Sequence, residues 1–197
     1  MTALRADELD LLFHEARTHS AWLDRPVDDA VLRQLYDLVR KGPTGANTQP
    51  LRVAFVRSAD AKERLKPALA PLNVAKMMSA PVTAIAAFDV DFHEKMPKLF
   101  PARPEMREQL AAAPPEDRAR RALLNATLQT GYLILAARAL GLDCGPMGGF
   151  DNAKADAIFF PEGQWKSILL VNLGYGDSTK LFPRLPRLDF DEACRIL

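Results

Sequence analysis

Cysteine is nearly absent from the sequence: Cys144 and Cys194 are the only two in 197 residues. They fit no metal-ligand spacing, and a disulfide framework is excluded, so reduced thiols are expected. The three histidines, His14, His19 and His93, do not pair on one helical face, which argues against a metal site and against a catalytic triad. Nucleotide-binding glycine signatures are also missing. There is no GxGxxG after the first predicted strand, no GxxxxGK[ST] and no GxSxG nucleophile elbow. Excess charge of either sign is lacking too. A formal net charge of +1 gives no footprint for nucleic acid or for an anionic membrane surface. The longest apolar run, Leu123 to Leu142, is interrupted by Asn125, Gln129 and Arg138, so it reads as a buried helix and not a membrane span. The opening MTALRADELDLLF mixes acids with its apolar residues and has no signal-peptide apolar stretch, which predicts a cytoplasmic protein.

What is present is ordinary globular material, with 48% apolar and 26% charged residues. One domain over 1–197 is expected, long enough to bury a core without covalent staples. Leu9, Leu12 and Phe13 mark a first helix over 6–15. A second helix over 29–41 carries Val31, Leu32, Leu35, Leu38 and Val39 as its apolar stripe. LRVAFVR (51–57) and PVTAIAAF (81–88) read as strands, with a charged helix over 61–69 and then a short connection bearing Asn73 and Lys76. Five prolines break the pattern between Asp89 and Asp117, so 91–117 is expected to be a lid-like excursion of short helical pieces outside the core. A dominant helix over 118–140 follows, in which Gly131 costs helix stability and so predicts a close contact with another element. The bare stretch Gly141 to Asp151 reads as a helix cap and turn whose backbone lies open to a flat ligand. A helix over 152–159 and a strand over 167–175 complete the chain before a Pro-broken tail. The fold class is α+β, helices packed around a small mixed or antiparallel sheet.

Four separated polar clusters carry the functional reading. Arg17, Thr18, His19 and Ser20 offer a guanidinium fork and hydroxyls of the kind a phosphate needs, and Arg184 and Arg187 offer the fork again from the far end. Asn47 and Gln49 supply amides that both donate and accept, as a heterocycle edge requires. Asn73 and Lys76, three apart, share a face if that segment is helical. Plainer readings stand beside these: Arg17 caps the first helix, Asn47 and Gln49 close a turn, Asn73 caps a helix, and the two late arginines are solvated.

Taken together, these residues resemble the flavin-dependent nitroreductase family over nearly the whole chain. The resemblance rests on Arg17 to His19, on Gly42-Pro-Thr-Gly-Ala-Asn-Thr-Gln-Pro50, on Asn73-x-x-Lys76-Met77, on Gly141-Leu142 to Asp151 and on Arg184-Leu-Pro186. Within that family the phrases Gly145-Pro-Met-x-Gly-Phe-Asp151, Gly174-Tyr-Gly-Asp-Ser-x-Lys180 and Arg184-Leu-Pro-Arg-Leu188 are most similar to malonic semialdehyde reductases of pyrimidine degradation.

The resemblance implies FMN, NADH or NADPH as reductant, and an intertwined homodimer with active sites at the interface. It implies that Arg17, Thr18, His19 and Arg184 contact the phosphate and ribityl chain, with Arg187 or Lys180 completing the phosphate site. It places Asn73 and Lys76 at the pyrimidine edge, and Asn47 and Gln49 near the ring or reaching across from the other subunit. Pro146, Met147, Gly148 and Gly149 fall at the reactive edge, and Lys76, Gly148 and Gly149 are the implied catalytic positions. Ala21 stands where relatives carry a second basic residue, and Phe182 where they carry Lys. Arg103 or Arg107 in the excursion is the expected cation for a substrate carboxylate. Other acceptors, nitro compounds or quinones, stay open, as do a flavin-binding protein without turnover and a cofactor-free helical protein whose motifs are caps and turns.

Overall fold

The computed structural model describes residues 3–197; Met1 and Thr2, where the expected domain begins, lie outside the described residues. In chain order the helices are α1 (Ala6–Leu9, running on as a π turn over Asp10–His14), α2 (Asp29–Val39), α3 (Ala59–Leu65), α4 (Pro71–Ser79), α5 (Met96–Leu99), α6 (Met106–Ala111), α7 (Pro115–Ala139), α8 (Asn152–Phe159) and α9 (Phe190–Ala193). The strands are β1 (Leu51–Val56), β2 (Val82–Asp89), β3 (Asp143–Met147) and β4 (Trp165–Gly174). They form one sheet in the order β1-β2-β4-β3, with every neighbouring pair antiparallel.

Period-two alternation along β2 decides how the layers stack. Val82, Ala84 and Ala86 face one apolar cluster, built with Leu32, Leu35 and Val39 of α2 and with Ala126, Leu133 and Ala137 of α7. Ile85 and Ala87 face a second, built with Leu65, Met77 and Ala155 from α3, α4 and α8. Both central strands are therefore covered on both faces, and the small residues of β2 let helices approach the sheet closely. This is the expected α+β fold, with an antiparallel sheet.

Several sequence expectations are corrected. The connection bearing Asn73 and Lys76 is the helix α4, begun by Pro71, whose fixed φ suits the first helical position. Gly141 to Asp151 is not only a cap and turn. Gly141 does take a left-handed φ of 75° after α7, but residues 143–147 then form the edge strand β3, where Pro146 removes only one donor from the strand's outer side. Gly131 meets no other element: a Cβ built there has nothing within 4 Å. The excursion has a small core of its own, with Phe92, Met96 and Leu110 buried against Ala122 of α7. The apolar stripe of the first helix is not buried, and Leu11 and Phe13 are exposed.

The two buried amides that interrupt α7 hold the segment before β1. Asn125 Oδ1 accepts from Gly45 N at 2.7 Å, and Gln129 Oε1 accepts from Leu51 N at 3.1 Å. Their polarity in an apolar helix is thus accounted for, since buried amides need partners.

Candidate active site

The segment leaving α1, the C-terminal tail, and single residues of α4 and α7 enclose a cleft of about 540 Å³. Arg17, Thr18 and Ser20 line it from the first segment, Lys76 from α4, and Arg184 and Arg187 from the tail. Arg138 of α7 completes the set; in the sequence it was legible only as a charge inside an apolar run. Five cationic side chains and no carboxylate line this cleft among the described residues. Such a focused positive field is suited to a phosphate monoester.

The arginines are held by backbone carbonyls. Arg184 Nη2 donates to His14 O at 2.6 Å and Ala16 O at 3.1 Å, closing the carbonyl end of the first helical segment. The guanidinium of Arg17 donates in return to Phe182 O, and Arg138 Nη1 to Leu12 O at 2.8 Å. It is Arg184, and not Arg17, that caps the first helix. Arg187 lines the cleft whereas Lys180 does not. Remaining donors on these forks are available to a ligand.

A short hydrogen-bonded chain joins the cleft to the bare stretch after β3. Lys76 Nζ donates to Asn73 Oδ1 at 3.2 Å, and Asn73 Nδ2 donates to Gly149 O at 3.0 Å. Ala70 N donates to the same carbonyl at 3.0 Å, so α4 and the Gly148–Gly149 segment are fixed to each other. Gly148 and Gly149 are exposed, while the Met147 side chain is buried in the second cluster and Pro146 is half-buried. The Met147 side chain is thus withdrawn from any ligand.

His19 is not brought into the cleft. Its ring is buried beside Asp143, with Nε2 3.3 Å from Oδ1, and packs so closely on Gly176 that any Cβ there would overlap it. The reason is local: His19 N donates to Cys144 O at 3.0 Å, and this bridge beside β3 turns the His19 side chain inward. Cys144 lies on the same strand, and burial pushes its thiol up to about 12, outweighing the nearby Arg138. A thiol so held is not a nucleophile at neutral pH.

Asn47 and Gln49 also lie outside the cleft lining. Ala46, Asn47 and Gln49 adopt φ of 52°, 53° and 42°. Non-glycine residues in this region are uncommon and cluster at functional sites. Asn47 Nδ2 donates to Leu99 O at 2.7 Å, Gln49 Nε2 to Asn47 Oδ1 at 2.8 Å, and Arg52 Nη1 to Gln49 O at 3.1 Å. Arg52 is itself paired with the buried Asp89 at 2.6 Å, so the strained loop stands on an ion pair.

Arg103 and Arg107 both have partners. Arg107 makes a forked pair with Glu94, at 2.9 Å and 2.8 Å, and holds that carboxyl below its ordinary range; Arg103 does the same to Glu105. Neither is a free cation awaiting a substrate carboxylate.

Residues 14–175 match the model of the Nitroreductase family, and the chain belongs to that family. A Ralstonia nicotianae protein, provisionally named an NADH dehydrogenase/NAD(P)H nitroreductase, is 56% identical over 100% of both chains. A Stenotrophomonas maltophilia protein with the same kind of name is 58% identical over 98% of each. Among solved structures, a provisionally assigned nitroreductase from Exiguobacterium sibiricum, crystallised with FMN, superposes with a TM-score of 0.87 at 16% identity over 100% of each chain. No helix among the described residues is long and apolar enough to cross a membrane.

Proposed function

We propose that this chain binds FMN in the arginine-lined cleft and works as an NAD(P)H-dependent reductase of a small acceptor. The observation that carries this reading is the convergence of Arg17, Lys76, Arg138, Arg184 and Arg187 on one cleft, from sequence positions as far apart as 17 and 187. The donor set suits FMN: guanidinium forks and the Thr18 and Ser20 hydroxyls for the phosphate, an ammonium and an amide for the polar ring edge, and exposed glycine backbone beside them. FMN, when bound, supplies the two-electron hydride chemistry.

The chain's own residues bind, orient and bias. Arg17, Arg184 and Arg187 neutralise the phosphate. The Lys76 ammonium, held on Asn73 Oδ1, puts fixed positive charge at the polar ring edge, where it favours the more negative reduced state and raises the potential. Gly148 and Gly149 leave the ring edge open to a nicotinamide or acceptor, which use the site in turn.

We assign Asn47 and Gln49 to the second active site of a homodimer, which accounts for a strained amide loop outside its own chain's cleft. Apolar surface supports association: Leu124 of α7 is 71% exposed, and in the tail Leu185 and Leu188 are 75% and 71% exposed.

The acceptor we propose is malonic semialdehyde, reduced to 3-hydroxypropanoate in pyrimidine degradation, on the strength of the sequence phrases shared with those reductases. A broader nitro or quinone reductase is the second reading. It is favoured by the names of the relatives and by Arg103 and Arg107 being already paired with acids.

The decisive experiment is spectroscopic. The purified protein is expected to be yellow and to bleach with NADH or NADPH. A protein that cannot be loaded with FMN overturns the reading, and flavin that does not bleach reduces it to a binding module. Comparison of kcat/KM for malonic semialdehyde, a nitroaromatic and a quinone then selects the acceptor.

A further inference from the structure

Two polar side chains sit deep in the sheet between the central strands. Thr83 of β2 and Asn172 of β4 are cross-strand partners, and both are 0% exposed. Thr83 Oγ1 donates to Asn172 Oδ1 at 2.6 Å, and Asn172 Nδ2 donates to Lys76 O at 3.1 Å. A polar pair this deep is tolerated only when its hydrogen bonds are made, so what those bonds reach is informative.

They reach the end of α4. Lys76 O is among the last carbonyls of that helix; Ala80 N goes to Met77 O instead, and from within the helix Ser79 Oγ donates to Lys76 O at 3.4 Å. The neighbouring ones are taken by Lys62 of α3, whose ammonium donates to Met78 O at 3.2 Å and to Ala80 O. The same residue that Asn172 grips by its carbonyl carries the ammonium that lines the cleft and meets Asn73 at 3.2 Å. At 3.6 residues per turn, a slip of one residue rotates α4 by about 100° and takes Lys76 out of the cleft.

We propose that Thr83 and Asn172 are a positioning pair for Lys76: Thr83 fixes which end of the Asn172 amide faces α4, and Asn172 fixes the rotation of α4 that presents the ammonium to the flavin. The Thr83 hydroxyl donates to Oδ1, which leaves Nδ2 as the end facing the carbonyl. Without that hydroxyl the amide is free to turn its oxygen toward Lys76 O. This rests on the reading of Lys76 given above, and the test separates the two.

The test compares Thr83→Val, which keeps shape and removes the hydroxyl, with Thr83→Ser, which restores it. Each is made alone and in a Lys76→Met background, and the FMN dissociation constant and two-electron midpoint potential are measured. Thr83→Val is expected to raise the dissociation constant about threefold to tenfold, the worth of one buried hydrogen bond. It is also expected to move the midpoint negative, and Thr83→Ser is expected to reverse both effects. In the Lys76→Met background Thr83→Val is expected to add nothing, because its effect runs through the ammonium.

If Lys76→Met shifts both quantities while Thr83→Val shifts neither, or shifts them additively, the positioning pair is overturned and the reading of Lys76 stands. If Lys76→Met shifts neither, the reading of Lys76 is overturned and the pair falls with it. Should Thr83→Val yield too little folded protein, Thr83→Val/Asn172→Leu carries the same test, since it removes the Asn172 oxygen that the lost hydroxyl leaves unpaired and releases Lys76 O from the amide.

Discussion

A methyl group built on Gly149 lies 2.8 Å from Asn73 Nδ2, whereas one built on Gly148 meets nothing within 4 Å. The two adjacent glycines therefore answer to different demands, one from the fold and one from what the fold binds. Gly149→Ala is expected to dislodge Asn73 from the Gly149 carbonyl and to lower the thermal midpoint of the FMN-free protein. Gly148→Ala should stay within about 0.5 kcal/mol of wild type. Gly148→Leu should weaken FMN binding at least tenfold, roughly the loss of one good contact, while leaving the FMN-free melting curve in place. Normal FMN affinity in that variant would remove this backbone from the ring. Cys144 yields a pH prediction at the same scale. Its folded pKa is about 12 against 9.0 as its ordinary value, so between these the folded chain keeps a proton that the unfolded chain releases. Its contribution is present below pH 9 and is lost as pH rises toward 12. Cys144→Ala should flatten the decline in stability across that window, and a thiol reagent at neutral pH should label the exposed Cys194 alone in the native protein.

Among the elements, α7 shows how far sequence pattern carries and where it stops. Its length and its polar interruptions were legible, yet Gly131, Asn125, Gln129 and Arg138 have separate explanations that only neighbours in space supply. Asn125 and Gln129 hold the 45–51 segment, Arg138 turns into the cleft, and Gly131 faces open space. Gly131→Ala should therefore stabilise the protein by about 0.8–1 kcal/mol, the helix-interior difference between the two residues, and raise the thermal midpoint. A lowered midpoint would instead place a second copy's helix against that position. Strand β3 was not legible as a strand because Gly145 and Pro146 depress strand propensity. It is held by pairing with β4 and, on its other side, by the Thr18–Cys144 bridge. A Cβ on Gly145 would lie 2.4 Å from the His19 carbonyl, so that glycine serves the bridge and not a ligand. The α4 segment was misread as a connection because Asn73 and Lys76 interrupt its apolar residues. Those interruptions are the residues that meet Gly149 and the cleft.

For the whole molecule, the question is what the tail after β4 contributes, since it supplies none of the buried apolar core. Residues 181–197 are strapped to the body through Arg17 on Phe182 O and Arg184 on the carbonyls of His14 and Ala16. They bring Phe182, Arg184, Leu185 and Arg187 to the cleft. Two cations of the five in that cleft thus come from a segment that adds no residue to the buried apolar core. Deleting 181–197 is expected to leave the four-stranded core with its far-ultraviolet dichroism intact while abolishing FMN retention. The subtler variant is Arg184→Ala. Because Arg184 lines the cleft together with Arg17 and Arg187, to which the phosphate is assigned, its loss should fall on the phosphate and spare the ring. Riboflavin, which shares the ring and lacks the phosphate, is the control. Wild type should prefer FMN over riboflavin, with a preference that shrinks as salt rises and screens the charges. Arg184→Ala should reduce that preference about tenfold or more, the scale of one charge-assisted hydrogen bond, while riboflavin binding stays unchanged. Equal loss for both ligands would mean that Arg184 holds the tail and not the phosphate, and the ligand's charged end would then belong to Arg17, Arg138 and Arg187.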